Sequence, residues 1–456
     1  MVVQLRLALA SVALAIGAGA FSVLHYIPEV SVALHDAGLG LAKLRPLHTA
    51  FTSVWIYGAA VAVIYHYLHK SPAGLSAGDI RRFWFHTLCW LGAGAGIFVT
   101  LLAGVFSGRE YVGFHPLFSA ILLVGWLAFA WTFLRRLTQG FWAQPVYLYF
   151  WTVGILYFIY TFSEWHAYLL PVVGDDPIRD LQLQWKSCGT LVGSFNFLVY
   201  GSLLYASERL TGDERYGQST MAFALFGVGC LNSFTNFAHH TYHLPGDHWV
   251  KYISFVVSML EVLILLHLLL GIAGTLKKRL PAGEYCAATA YLVSAKWWTM
   301  VMLVGSILIS WPQFNTLIHG THMVVGHAMG TELGIDSMIL FGAITFLLSE
   351  IHCSCPQALS RLSNPAVRRE ITLLNVSMAV LVTWLSVSGT VHGIYRYQGQ
   401  AAPDWVSWGW FLFPVAGFLV GAALLMVVWR WTPLLFAVEA RRETARADLE
   451  ASSPGA

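Results

Sequence analysis

The stretch NFAHHTYHLPGDHW, residues 236–249, holds four histidines within fourteen positions, two of them adjacent at His239 and His240. Two further segments carry comparable residues: RPLHTAFTSVW around His48, and HGTHMVVGHAMG with His327 and Met329. Imidazole is the commonest side-chain ligand for haem iron and for non-haem iron or copper. His327 and Met329 are two positions apart, so on a helix they point about 200° apart. Both residue types serve as haem axial ligands, so one helix could hold two haems, one on each side. Met329 could equally be a core filler, a common use of methionine. Each histidine alone could cap a helix end or bond a neighbour. The set argues for metal, provided the elements bring it to one place.

Those elements are membrane helices. The chain has 456 residues, 57% hydrophobic and only 11% charged, against about 25% charged in soluble domains. Apolar runs long enough to span a bilayer fall at about 5–27, 47–69, 83–106, 115–135, 146–170, 185–207, 219–242, 250–276, 287–310, 322–348, 370–396 and 405–429. Each must be helical, because lipid offers backbone groups no other partner. An all-α polytopic membrane protein of twelve spans is expected, residues 1–436, followed by a charged, small-residue-rich cytoplasmic tail at 437–456. The first run is too long for a signal h-region and reads as a retained span. Six scattered cysteines without CxxC or CxxCH point to neither a disulfide framework nor a covalent c-type haem. HCSC at 352–355 has one flanking histidine and reads as unremarkable. Trp249, Trp405 and Trp408 read as interfacial anchors.

Arg81–Arg82, Arg135–Arg136, Arg209 with Arg215, Lys277–Arg279, Arg368–Arg369 and Arg441–Arg442 all follow even-numbered spans. The positive-inside rule then makes both termini cytoplasmic. His48 falls at the outer end of the second span, His239 and His240 at the outer end of the seventh, and His327 in the outer third of the tenth. Three helices thus offer histidines at one depth. Glu261 lies about eleven residues into the eighth span, roughly 16 Å along its axis. A carboxylate there is costly unless partnered or functional. It suits a proton donor, or an acid bonded to a neighbouring helix. Glu350 and Glu370 sit at cytoplasmic helix ends, and no second acid is read leading in from the cytoplasm. Protons taken from the outer side agree with that pattern.

RPLHTAFTSVWIYG, NFAHHTYHLPGDHWVKYISFVVSMLEVL and HGTHMVVGHAMG, in that order on twelve spans, resemble the catalytic subunit of cytochrome c-dependent nitric oxide reductase, of the haem–copper oxidase superfamily. The resemblance implies a haem–copper oxidase-like bundle in the bacterial inner membrane, with its metal site near the periplasmic side. It implies two b-type haems, with His48 an axial ligand of the low-spin haem and His327 the proximal ligand of the high-spin haem. His239 and His240 would hold a non-haem iron, with copper as the other candidate, and Glu261 would serve proton delivery or steady that metal. The implied reaction reduces two NO to N2O and water. A membrane-anchored c-type cytochrome would be the electron donor and a gas the substrate, with no nucleic-acid partner.

Two positions depart from the family pattern. The tenth span of the family carries His-x-His, and here the second place is Met329, which implies either a His/Met low-spin haem or a haem lost or otherwise ligated. The sixth span of the family supplies a third metal-binding histidine and a glutamate four residues later, whereas WKSCGTLVGSFNFLVYG has neither. Aligning Gly193 puts Cys188 on the histidine position and Val192 on the glutamate position; aligning Gly201 puts Gly189 there instead. Cys188 is then a third metal ligand or a buried inert thiol, with His243 and His166 as other candidates. His319 and His322 could contact haem propionates or face water. Oxygen reduction, NO disproportionation and a haem carrier or sensor lacking the second metal are the other functions compatible with these changes.

Overall fold

The computed structural model describes residues 1–72, 74–137, 143–279 and 286–452. The side chains of Arg279, Trp408, Arg441 and Arg442 lie outside the described residues. Twelve helices are long and apolar enough to cross a membrane, and no strand occurs among the described residues. We number them α1 Val2–Leu24, α2 Leu41–Lys70, α3 Ala77–Leu102, α4 Pro116–Leu134, α5 Val146–Leu169, α6 Pro177–Thr211, α7 Thr220–His240, α8 His248–Lys278, α9 Ala287–Ser310, α10 His322–Ile351, α11 Pro365–Tyr397 and α12 Leu412–Ser452. The last helix runs on through the segment expected as a tail, whose Ala, Arg and Glu are good helix formers. Residues 453–456 lie outside the described residues.

Three helices make the centre. α2, α6 and α10 pack against one another and have 72%, 83% and 83% of their apolar stretch buried, against 33–61% for the rest. The other helices enclose them, with α1 closing against α2 and α12. Between apolar helices in lipid, close packing and hydrogen bonds replace the hydrophobic effect as the cohesive force. Both are present. A Cβ at Gly154 of α5 would fall 2.9 Å from the Leu198 side chain and the Ser194 carbonyl of α6, and Ser194 Oγ donates to the Gly154 carbonyl at 2.8 Å. Trp55 of α2 donates to Ser337 Oγ of α10 at 3.0 Å, and Trp298 of α9 to Asn375 Oδ1 of α11 at 2.8 Å.

The helix ends differ in chemistry. His48, His239, His240 and His327 stand at the end where α2 and α10 begin and α7 finishes, called here the histidine end. At the opposite end the fully buried Asp79 is held by Arg82 at 2.7 Å and by Arg136. There Glu350 also bonds Arg209 of α6 at 3.0 Å and lies 3.0 Å from His66 Nε2 of α2. Trp249 and Trp405 are exposed. Within 352–355, Cys353 and Cys355 are free thiols, and the buried His352 donates Nε2–H to the Leu434 carbonyl at 3.0 Å.

Candidate metal centre

The α-helical part of α7 ends at Thr235 and tightens into a 3-10 turn, Asn236–His240. Such turns are common at helix ends, and this one is pinned from both sides. Asn236 Nδ2 donates to the Gly189 carbonyl of α6 at 3.0 Å, and Ser254 Oγ of α8 donates to the Asn236 carbonyl at 3.0 Å. Gly189 permits the approach, because a Cβ there would overlap the Asn236 amide. The pinned turn sets the His239 and His240 rings 4.3 Å apart between centroids, and Trp185 of α6 stacks nearly parallel on His240 at 5.6 Å.

The proton positions on His239 follow from its neighbours. Ser254 Oγ gives its hydrogen to Asn236, and Ser258 Oγ gives its hydrogen to Asn232 Oδ1 at 2.6 Å. Both hydroxyls can therefore only accept from His239 Nδ1, at 3.0 and 3.3 Å. Nδ1 carries the proton and Nε2 keeps its lone pair, the form needed to ligate a metal. The line continues from Asn232 Nδ2 to Glu261 Oε2 at 2.6 Å. Glu261 is thus connected to a metal-competent imidazole through an amide and a hydroxyl, as outer-shell carboxylates commonly are. Beside it lies a cavity of about 10 Å3, lined by Asn196, Tyr200, Asn232, Asn236 and Glu261 among others, which has room for one water. Asn236 Oδ1 is buried there without a protein partner.

His327 lies within electrostatic reach of both His239 and His240, while among the described residues no three His, Cys, Asp or Glu form one metal-holding group. Its Nδ1 is buried with no hydrogen-bond partner among the described residues. Leaving such a nitrogen unmatched costs about 1–3 kcal/mol. His48 is posed differently. A carbonyl can only accept, so the 2.8 Å contact to Ala15 O makes Nδ1 the donor and leaves Nε2 free. The ring fits over Gly19, where a Cβ would lie 2.8 Å from Nδ1. Met329 packs half-buried against the core of α10. His48 and His239 each present an unprotonated Nε2, the form that haem or metal ligation requires.

Cys188 lies within electrostatic reach of Glu110 and Glu332. His166 bonds the Phe162 carbonyl at 2.7 Å, and His322 bonds Tyr26 Oη at 2.6 Å against Trp410. His243 and His319 pair with ring centroids 4.6 Å apart. Burial holds both below the usual imidazole range, and the Arg396 charge lowers both further.

Two acids were missed in the sequence. Glu332 and Asp336 sit inside α10 in a π-helical segment, Glu332–Ser337, a widened turn found mostly at functional sites. Asp336 is 4% exposed. The signal was present, since two acids four apart interrupt an apolar run. Asn232, Ser254, Ser258 and Trp185 offered no such signal.

Twelve helices long and apolar enough to cross a bilayer define a multi-pass membrane protein. Residues 2–424 match the family described as Cytochrome C and Quinol oxidase polypeptide I, and the chain belongs to that family. Cytochrome c oxidase subunit 1 of Rhodobacter capsulatus is 21% identical over 337 residues, covering 70% of this chain. The chain spans only 62% of that relative's length. The cryo-EM structure of a heme–copper terminal oxidase dimer shares the fold, with a TM-score of 0.68 at 15% identity, covering 96% of this chain and 84% of that one. Membership in the haem–copper oxidase superfamily implies haem and metal cofactors.

Proposed function

We propose that the chain is a nitric oxide reductase-like catalytic subunit, reducing two NO to N2O and water with two electrons and two protons. The observation that carries this reading is the hydrogen-bonded line Glu261–Asn232–Ser258–His239 ending beside His240 and His327. In this reading His239 and His240 hold the non-haem metal, iron or copper, with Cys188 as third donor. His327 holds a high-spin b-type haem, and His48 with Met329 a low-spin one. Bound together, these groups would supply Lewis acidity and electrons. The chain's own work is different. His239 Nδ1–H keeps the metal-facing nitrogen deprotonated and aimed, Trp185 fixes the plane of His240, and Glu261 holds a proton at the end of the line. The histidine end faces the periplasm of a bacterial inner membrane, and a membrane-anchored c-type cytochrome delivers electrons there.

Oxygen reduction is the second reading, favoured by the names of the two relatives. Gas analysis on purified protein with a chemical reductant separates them: N2O formed from NO supports the first, and oxygen consumption without N2O overturns it. Metal and haem quantitation on wild type beside Cys188→Ala tests the ligand set. One non-haem metal per chain that disappears in Cys188→Ala assigns the thiolate, and retention of the metal removes Cys188 from the set. Two haems with no third metal in either sample would leave a haem carrier or sensor.

A further inference from the structure

Glu332, Asp336 and Glu261 are three acids inside membrane helices, and none forms an ion pair with any described Lys or Arg. A merely structural role does not call for ionisable groups, since an amide or an apolar side chain would fill the same space at lower cost. Their partners are proton-holding groups. Tyr111 Oη donates to Glu332 Oε1 at 2.8 Å. Asp336 lies within electrostatic reach of both Glu332 and Glu261 and is 4% exposed. Glu261 borders the one-water cavity and the line to His239.

The outer member of this series is held with care. Tyr111 belongs to the connection between α3 and α4 at the histidine end, and it is the one non-glycine residue with positive φ, +57°, among those described. That conformation costs on the order of 1–3 kcal/mol and persists only where the surroundings enforce it. The neighbours of Tyr111 are anchored: Arg109 bonds Asp180 at 2.8 Å and lies 4.0 Å over the Tyr168 ring, and Glu110 accepts from Arg45 at 2.9 Å. Glu110 is 35% exposed, so the series runs from solvent inward. Burial, with Glu332 beside it, holds the Tyr111 phenol well above its usual range, which keeps Tyr111 a donor.

We propose that Tyr111, Glu332, Asp336 and Glu261 form a proton-conducting line that feeds the histidine centre from the connection between α3 and α4. The proposal rests on the reading of that centre as a redox site that consumes protons. Tyr111 passes its hydroxyl proton to Glu332 as it takes one from water at Glu110, so the phenol ends unchanged. The proton then moves from Glu332 to Asp336 and on to Glu261 through bridging water. One proton enters for each proton consumed, and no electron travels this way.

The test is reduced-minus-oxidised infrared difference spectroscopy on purified protein whose haem content is measured first, with turnover in parallel. A protonated-carboxyl band is expected that vanishes in Glu332→Gln, shifts in Glu332→Asp and changes in Tyr111→Phe. Turnover should fall about a hundredfold in Glu332→Gln, the usual scale for a lost proton-transfer group, and recover in part in Glu332→Asp. Haem-replete Glu332→Gln with wild-type turnover and an unchanged carboxyl region overturns the line and leaves the redox reading standing. Wild-type protein that binds no haem overturns both. Should Glu332→Gln fail to fold, Tyr111→Phe decides alone, since it keeps the ring against Trp165 and removes only the hydroxyl.

Discussion

At the scale of single residues, chemistry depends on which nitrogen of each imidazole is free. His48 and His239 both commit Nδ1 as a donor, to a carbonyl and to two hydroxyls, and so both present Nε2. The His48 pose depends on a residue with no chemistry of its own. Gly19→Leu would drive a side chain into the space now held by the His48 ring, breaking its bond to Ala15. Overpacking of this kind costs about 1–3 kcal/mol, and the haem ligand would turn away. The expected outcome is a fall from about two haems per chain to about one, with the low-spin absorption lost. Pyridine haemochrome quantitation and the visible spectrum check it, and an unchanged spectrum would remove His48 from the ligand set.

At the scale of elements, the pinned end of α7, Asn236–His240, holds the two adjacent histidine rings 4.3 Å apart. Ser254 is the fastener, accepting from the His239 backbone N–H at 3.0 Å and donating to the Asn236 carbonyl. Ser254→Ala should weaken retention of the non-haem metal by about 10- to 100-fold, the usual effect of losing an outer-shell partner. Competition with a chelator of known affinity measures it, with haem content expected to stay at the wild-type level. The π-helical segment of α10 does the same for Glu332 and Asp336, altering the register of a helix that already carries His327.

At the scale of the whole molecule, His48 and His327 stand on two of the three most buried helices, and the opposite end holds the bundle together by charge. Asp79 is fully buried between Arg82 of its own helix and Arg136 at the end of α4. Asp79→Asn would leave two guanidinium groups without their counter-ion. Breaking a buried pair from one side costs about 3–5 kcal/mol, so a clear drop in thermal unfolding temperature in detergent is expected. The haem spectrum of the folded fraction should be unaffected, because Asp79 stands at the far end of α3. A stability equal to wild type would show that Asp79 is not a fastening point.

The twelve spans, the depth shared by the histidines and the interrupted pattern of the sixth span were all legible in the residues. Hydrophobic runs and metal-ligand types are local properties of a chain, and lipid leaves a spanning segment no alternative to a helix. Legible too, and passed over, were the two acids inside GTELGIDSMILF. What only the tertiary structure decided is who meets whom. Asn232 and Ser258 are unremarkable polar residues until α7 and α8 pack and connect Glu261 to His239. Tyr111 lies 221 positions from Glu332 in the chain, and no spacing rule relates them. A helix's sequence determines that it spans; the packing of its neighbours determines which way each side chain faces, and it is the facing that makes a site.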